Sequence, residues 1–489
     1  MSFNSAANSA ANSAANTAPP RRPLGNTGLN CHPLGFGCYR VIDGNSAHEQ
    51  ALRAYLDRGG NLIDTSANYG DGLAETMVGK VLQDYPDHGT VLVTKGGYIQ
   101  GQNMALAMKQ QFSEVVEYGE GIWHCIHPEF LETQLRRSAQ RLRRNFVDVY
   151  LLHNPEYYLE DQSHKGAVDD SHRKEFYRRV REAFAFLESK VAAGELGWYG
   201  ISSNNFGHPE SQPTATSIAR CWEAAESVSP KHHFRVVQLP LNVFESGGAL
   251  EINNENKTAL DYCQSKGIGV LANRPLNAFQ KNSMVRLADF MRPGEAAPAR
   301  EQIAAIVEPV GKMEKELHAQ FEVPLFSGLE GGIAEYISKM LPQIQSLAHW
   351  EQVYYLRLIQ PIERWAMECQ QLYGEHQEWK QWWSRFVEMI PAVFEEAARY
   401  VSKSQQKASD HVRERLLQAG YPDDKSTLSQ MALNTLLNLD GLSCALVGMR
   451  RREYVDDCFG ALTLPSFDAL TTLGRFALMQ AQTPPGSVQ

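Results

Sequence analysis

Eight times along this chain a short run of apolar and β-branched residues is followed by an amphipathic helical pattern. That alternation restricts the fold more than any other feature of the sequence. The runs are LGFGCY (34–39), NLIDTS (61–66), TVLVTK (90–95), DVYLLH (148–153), WYGISS (198–203), VVQLPL (236–241), GVLANR (269–274) and CALVGM (444–449). Several are apolar almost without a break, as expected of parallel strands covered on both faces. Helical patterns follow them. SAHEQALRAYLDRGG has polar residues at its start and Gly at its end. HPEFLETQLRRSAQRLRRN and SHRKEFYRRVREAFAFLESKVAAGE are longer amphipathic segments. Eight strand–helix units in series predict a closed (β/α)8 TIM barrel in preference to a doubly wound open sheet.

The alternation breaks once, after the seventh strand. Residues 281–426 are rich in Glu, Gln, Lys, Ala and aromatics and read as helices. The barrel pattern resumes at STLSQMALNTLLN, where Ser426 or Thr427 is the expected N-cap. The expected organisation is a first barrel part over 21–280, a helical insert over 281–426, and a last barrel part with a C-terminal tail over 427–489. A βα loop normally takes about 2–6 residues, and one this long is expected to be functional. Because it leaves the catalytic face, it is expected to form a helical lid or a wall of the substrate pocket. Trp379, Trp382 and Trp383, in EWKQWWSRF, would either lend that pocket aromatic surface or make up the insert's own core. Residues 1–20 repeat NSAA three times. Small and polar, with nothing to bury, they read as a disordered tail and not as a secretory leader, which needs an apolar stretch.

Composition removes several function classes. A formal net charge of −9 argues against a nucleic-acid partner. No apolar run reaches the length needed to span a bilayer, so no membrane partner is expected. The eight cysteines are scattered without a CxxC pair, which fits reduced, buried thiols in a cytoplasmic protein. HCIH (124–127) is the nearest approach to a ligand cluster, and with no further ligands close in sequence no metal site is expected.

Barrels of this kind build their sites at the C-terminal ends of the strands. Those ends carry Asp64, Lys95 and His153, with Tyr69 a few residues past the second strand. Singly, each has an ordinary reading: a turn Asp, a rim Tyr, a hydrogen-bonded core His. A Lys ending a buried strand is harder to dismiss, because an unpaired ammonium there is costly. Together the four make chemical sense. Lys95 would stay charged by pairing with Asp64. As a cation beside Tyr69 it would lower the phenol from its ordinary value of about 10, making a usable general acid. His153 would hydrogen-bond and orient a carbonyl oxygen. The set suits protonation of an oxygen that gains charge, as when hydride reaches a carbonyl.

Taken in order, NLIDTSANYG, TVLVTK, DVYLLHNP, GWYGISSNNF and VVQLPLNVFE resemble the aldo-keto reductase superfamily. So do the opening RPLGNTGLNCHPLGFGCYR and the closing LSQMALNTLLNLDGLSCALVGMRRREYVDD. The likeness covers the barrel and neither 281–426 nor 1–20. It implies an NADP(H)-dependent oxidoreductase acting on aldehydes, ketones or sugars, with its Asp, Tyr, Lys and His tetrad on Asp64, Tyr69, Lys95 and His153. The likeness carries no Rossmann fingerprint; in GFGCYR, Arg40 stands where a third Gly would belong. The resemblance further implies that Ser202, Ser203 or Asn204, and then Gln238, hold the nicotinamide carboxamide. In VGMRRREY it implies a 2′-phosphate site at Gly448, Arg450 and Arg451, with Arg450 the leading candidate and Arg451 and Arg452 otherwise solvated charges.

The chain departs from the family pattern at LANRPLNAF, where Asn273 and Arg274 replace an aromatic and a Ser, so stacking on the nicotinamide from that position is lost. Arg274 would contact the cofactor diphosphate, contact an anionic substrate, or pair with a neighbouring carboxylate. Tyr454 and Cys458 stand where the family often has Gln and Asn near the adenine. Potassium-channel β subunits share this barrel and work largely as partners. A cofactor-binding docking module, with a protein partner on the insert, is therefore the alternative function.

Overall fold

The eight apolar runs become eight parallel strands of one closed barrel. They are β1 (Leu34–Gly37), β2 (Leu62–Asp64), β3 (Val91–Gly96), β4 (Val147–His153), β5 (Leu196–Ser202), β6 (Phe234–Pro240), β7 (Gly269–Asn273) and β8 (Cys444–Val447). Each pairs with the next in chain order and β8 closes on β1. The computed structural model describes residues 21–280, 283–291, 299–323, 332–344, 346–423 and 425–482; the NSAA tail lies outside them.

Helices follow the strands: α1 (Ser46–Asp57), α2 (Leu73–Val81), α3 (Pro128–Leu142), α4 (Asp170–Ala192), α5 (Ile218–Val228), α6 (Ala259–Lys266), α7 (Leu428–Leu437) and α8 (Arg452–Gly460). Their starts follow from local chemistry. Asn45, Ser217, Thr258 and Thr427 each accept a first-turn N–H at α1, α5, α6 and α7, so the cap of α7 is Thr427, one of the two expected positions.

Packing explains why β1 carries a Gly at position 35. A Cβ on Gly35 would lie within 2.9 Å of Cys444, Leu446 and Leu62 side chains inside the barrel. The interior is filled by Leu62, Val93, Val149, Leu151, Val236, Leu271 and Leu446. Leu24 and Cys31, from the short N-terminal pairing of Arg22–Pro23 with Asn30–Cys31, join the same cluster. Register then sets the level of the polar strand ends. Ser202 pairs with both His153 and Gln238, Lys95 with Leu151, and Pro240 with Asn273.

The helical insert forms a compact unit of its own over Ala288–Arg415; the barrel unit comprises the chain up to Leu287 and from Leu416. The hairpin Asn277–Gln280 with Ser283–Arg286 belongs to the barrel unit. Within the insert, Trp379 and Trp382 are buried and stacked, with ring centroids 5.7 Å apart, among Trp365, Phe386, Val310 and Leu317. Trp382 Nε1 donates to Met313 O at 2.8 Å. Trp383 packs partly buried against the same cluster. These indoles make the insert's own core, which removes Trp379 and Trp382 as pocket surface.

Glu75 on α2 is fully buried and takes Arg141 of α3 at 2.7 Å and the Thr94 hydroxyl at 2.5 Å. Removing one partner of a buried pair leaves an uncompensated charge. Arg141→Leu should therefore destabilise the barrel by about 3 kcal/mol. Denaturant unfolding measures this, and Glu75→Gln in the same background should restore part of the loss.

Candidate active site

Three strand ends and one turn bring the proposed tetrad together. The turn after β2 hangs on β3: Thr65 N–H donates to Val93 O and Ala67 N–H to Lys95 O. Tyr69 then opens a tight 3-10 turn ending at Gly72, which takes a left-handed φ of 90° before α2 begins. This swings the phenol back over the strand end it has just left. Lys95 Nζ donates to Asp64 Oδ2 at 2.7 Å, to Thr65 O at 2.9 Å and to the Tyr69 hydroxyl at 3.2 Å. An ammonium has three protons, and all three are engaged. Since the Tyr69 oxygen accepts from Lys95, its own proton is free to point elsewhere.

Asp64 is clamped from the other side as well, Oδ1 accepting from Gln238 Nε2 at 2.7 Å. Burial lifts its carboxyl above the ordinary range, opposed by Lys95 and Gln238. Burial also pulls Lys95 down, but Asp64 and Tyr69 outweigh it and hold the ammonium above its usual value. Tyr69 departs from the sequence expectation. Desolvation pushes the phenol up to about 12, and the Lys95 charge, although it acts in the expected downward direction, is the smaller effect. At neutral pH the phenol keeps its proton.

His153 closes the site, its ring centroid 5.8 Å from Tyr69 and edge-on to it. Its Nδ1 meets Ser66 Oγ at 3.0 Å, and its backbone O accepts from His124 Nε2 at 2.7 Å. Gly97 makes this approach possible: a Cβ there would sit 2.7 Å from His124 Nε2 and 2.9 Å from His153 O, and its φ is 151°. Burial, then the Lys95 charge, hold His153 well below its ordinary value, so the ring is neutral. Tyr98 lies edge-on to it at 4.7 Å, with its hydroxyl taking Asn154 Nδ2 at 2.7 Å.

The other candidates fall in three groups. Ser202 donates to Gln238 Oε1 at 3.1 Å, and Ser203 bonds Thr216, so both hydroxyls are engaged within the protein. Asn204 gives its backbone N–H to Glu156 at 2.7 Å. Arg274, in a left-handed conformation (φ 53°), pairs with Glu245 at 2.6 Å and covers the Phe279 ring at 4.8 Å. Of its three readings, the geometry realises the neighbouring carboxylate. Gly448, Arg450 and Arg451 lead into α8, with Arg451 as its N-cap residue. Cys458 is buried in an apolar cluster of the barrel unit, while Tyr454 is exposed. Among the described residues no group of three or more metal-binding side chains occurs, and His124 of HCIH serves the His153 carbonyl.

Sequence reasoning passed over Ser66, Tyr98 and Gln100, and weighed His124 only as part of a metal-ligand candidate. Ser66 lies inside the turn motif but reads as an ordinary turn residue, and the other three take meaning only from the three-stranded sheet of Tyr98–Ile99, Val116–Gly119 and Ile122–His124. The unpartnered, buried Asn273 Oδ1, beside Gln238, was equally invisible.

The model of the Aldo/keto reductase family matches residues 33–370. Among curated proteins, the chain is 25% identical to the aldo-keto reductase YhdN of Bacillus subtilis, over 45% of this chain and 54% of that one. It is 27% identical to the NADH-specific methylglyoxal reductase of Escherichia coli, over 27% and 40%. It is 26% identical to the NAD(P)H-dependent D-xylose reductase of Scheffersomyces stipitis, over 36% and 50%. The chain thus spans about half the length of the curated relatives it matches.

Burial, opposed by the His153 carbonyl, drops His124 from 6.5 to about 4. Between those values the unfolded imidazole takes up a proton that the folded one refuses, so stability falls with pH by up to about 1.4 kcal/mol per unit for this residue. His124→Gln keeps a donor for His153 O and removes the titration. Unfolding free energies at pH 7 and pH 5 should therefore differ less in the variant, by about 2 kcal/mol. An equal pH dependence would mean that His124 is not buried neutral.

Proposed function

Because the chain belongs to the aldo/keto reductase family, we propose that it is an NADP(H)-dependent oxidoreductase interconverting a carbonyl and an alcohol, with Tyr69 as the proton donor and acceptor. The observation that carries this reading is the distribution of the Lys95 protons: two held by Asp64 Oδ2 and Thr65 O, the third on the Tyr69 oxygen. When bound, the nicotinamide supplies or accepts the hydride. Tyr69 gives its proton to the substrate oxygen as negative charge grows there. An alkoxide is a stronger base than a phenolate, so a phenol lifted to about 12 still transfers its proton downhill. Lys95 stabilises the phenolate left behind, and Asp64, itself held by Gln238, keeps the ammonium in place.

Several groups suit the cofactor. Asn273 Oδ1 is a buried acceptor with no partner among the described residues, and it fits a carboxamide N–H. Asn204 is half-buried at the same mouth. Ser202, Ser203 and Gln238 support this region through their internal bonds. Gly448, Arg450 and Arg451 lead into the N-terminus of α8, where a phosphate is favoured by the helix end and by guanidinium groups. The named relatives divide between NADH-specific and NAD(P)H-dependent; the arginine cluster favours the phosphorylated dinucleotide. Arg274, tied to Glu245, would shape the mouth beside the diphosphate.

Tyr69→Phe should lower kcat about 10³-fold on an aldehyde panel while NADPH binding persists. Arg450→Ala should weaken NADPH in a fluorescence titration and leave NADH nearly unchanged. Full turnover in Tyr69→Phe would remove the proposed role of the tetrad.

A further inference from the structure

Glu156 is a fully buried carboxyl at the barrel mouth, and the reaction proposed above makes no use of it. It stands just past His153, ahead of the helix Tyr157–Lys165. Its Oε1 accepts the Asn204 N–H at 2.7 Å, and its Oε2 is buried with no partner among the described residues. The nearby Asn154, in a left-handed conformation (φ 53°), gives its N–H to Ser202 O at 2.7 Å. Glu160, one helical turn further on, meets the Asn205 side-chain amide at 3.3 Å. The connection after β4 therefore pins the backbone at the end of β5, at Ser202 and Asn204, in the stretch proposed to hold the nicotinamide carboxamide. A buried carboxylate with one oxygen unpartnered is costly, so the acid form is favoured. Burial, then Glu160, push the carboxyl up to about 8, against its own N–H, the Asn204 N–H and the nearby Ser203 hydroxyl. Tyr98, Tyr157 and Cys221 also face it, each kept protonated by burial. Arg274 faces it from just past β7 but is paired with Glu245.

We propose that Glu156 is a positioning residue for the dinucleotide, its carboxyl fixing the Ser203–Asn204 backbone in the conformation that receives the nicotinamide carboxamide. This role rests on the oxidoreductase reading; the hold on Asn204 does not. The two cofactor forms differ at this point, since NADP⁺ carries a positive charge on its ring and NADPH does not. Protonated Glu156 treats the two alike. Ionised Glu156 attracts the cationic ring and so favours NADP⁺. By linkage, bound NADP⁺ lowers the carboxyl relative to bound NADPH. The ratio of NADP⁺ to NADPH affinity is then constant well below pH 8 and rises as the pH passes through about 8.

The test is a fluorescence titration of the full-length protein with NADPH and NADP⁺ at pH 7 and pH 9. Glu156→Ala should weaken both cofactor forms about tenfold at pH 7, the scale of one lost hydrogen bond. Glu156→Gln stays neutral and its amide oxygen still accepts the Asn204 N–H, so it should restore that binding. In the wild type the ratio of NADP⁺ to NADPH affinity should rise about fivefold from pH 7 to pH 9. In Glu156→Gln the ratio should stay flat. Unchanged binding in folded Glu156→Ala, or the same rise in Glu156→Gln, overturns the proposal. If Glu156→Ala fails to fold, the wild type and Glu156→Gln carry the test through the Asn204 amide of protein labelled with ¹⁵N-asparagine. Its NMR signal is the one lost in Asn204→Gln. In cofactor-free protein that amide should titrate with a midpoint of about 8, and in Glu156→Gln it should not. An Asn204 amide indifferent to pH in the wild type overturns the hold on Asn204 and the proposal with it. This readout needs no dinucleotide, so the two failures are seen separately. A protein that binds neither cofactor form defeats the oxidoreductase reading and the dinucleotide role, whatever the amide shows.

Discussion

A fully buried ammonium organises the barrel mouth. Lys95 is 0% exposed, and a charge so placed is tolerated only if each proton finds an acceptor and an opposite charge lies close by. Asp64 Oδ2, Thr65 O and the Tyr69 hydroxyl meet that demand, and each comes from a different point of the β2–α2 connection. The requirement propagates outward. Asp64 needs a second donor and takes Gln238 from the opposite side of the barrel; Gln238 in turn accepts from Ser202 and Asn273. A polar network therefore crosses a barrel whose lower interior is filled by Leu and Val. It depends on strand register, because slipping one strand by one residue would turn its polar ends to the other face.

Burial also decides the protonation states, and it does so against simple pairwise reasoning. A Lys beside a Tyr suggests an acidic phenol, yet desolvation is the larger effect and keeps Tyr69 protonated. His124 and His153 are held neutral for the same reason, with the Lys95 charge adding to it at His153. The site is thus a set of neutral hydrogen-bonding groups gathered round one ion pair. Such an arrangement stabilises a charge that appears only during reaction.

The helical insert obeys different rules. Its tryptophans pack on one another and on aliphatic residues of the same unit, as buried area requires of a segment that must form its own core. A Trp-rich amphipathic helix has the same composition whether it covers a ligand or a core, so the sequence pattern alone left both readings open.

Much of the barrel was legible because its signals are local. Parallel strands covered on both faces need apolar runs, helices need caps, and each leaves its mark within ten or fifteen residues; the eight strands fall on the eight runs within a few residues. Asp64, Lys95 and His153 were readable as strand-end residues, with Tyr69 just beyond one of them, because a parallel barrel brings the C-terminal end of every strand to one face. What only the tertiary structure decided is pairwise and long-range. Gln238 reaches Asp64 across 174 positions of sequence, and His124 reaches the His153 carbonyl through a small sheet built on the β3–α3 connection. The sign of the Tyr69 shift and the pairing of Arg274 with Glu245 belong to the same class. Each depends on distances of a few ångströms and on how much water is excluded, and neither is recorded in the order of residues along the chain.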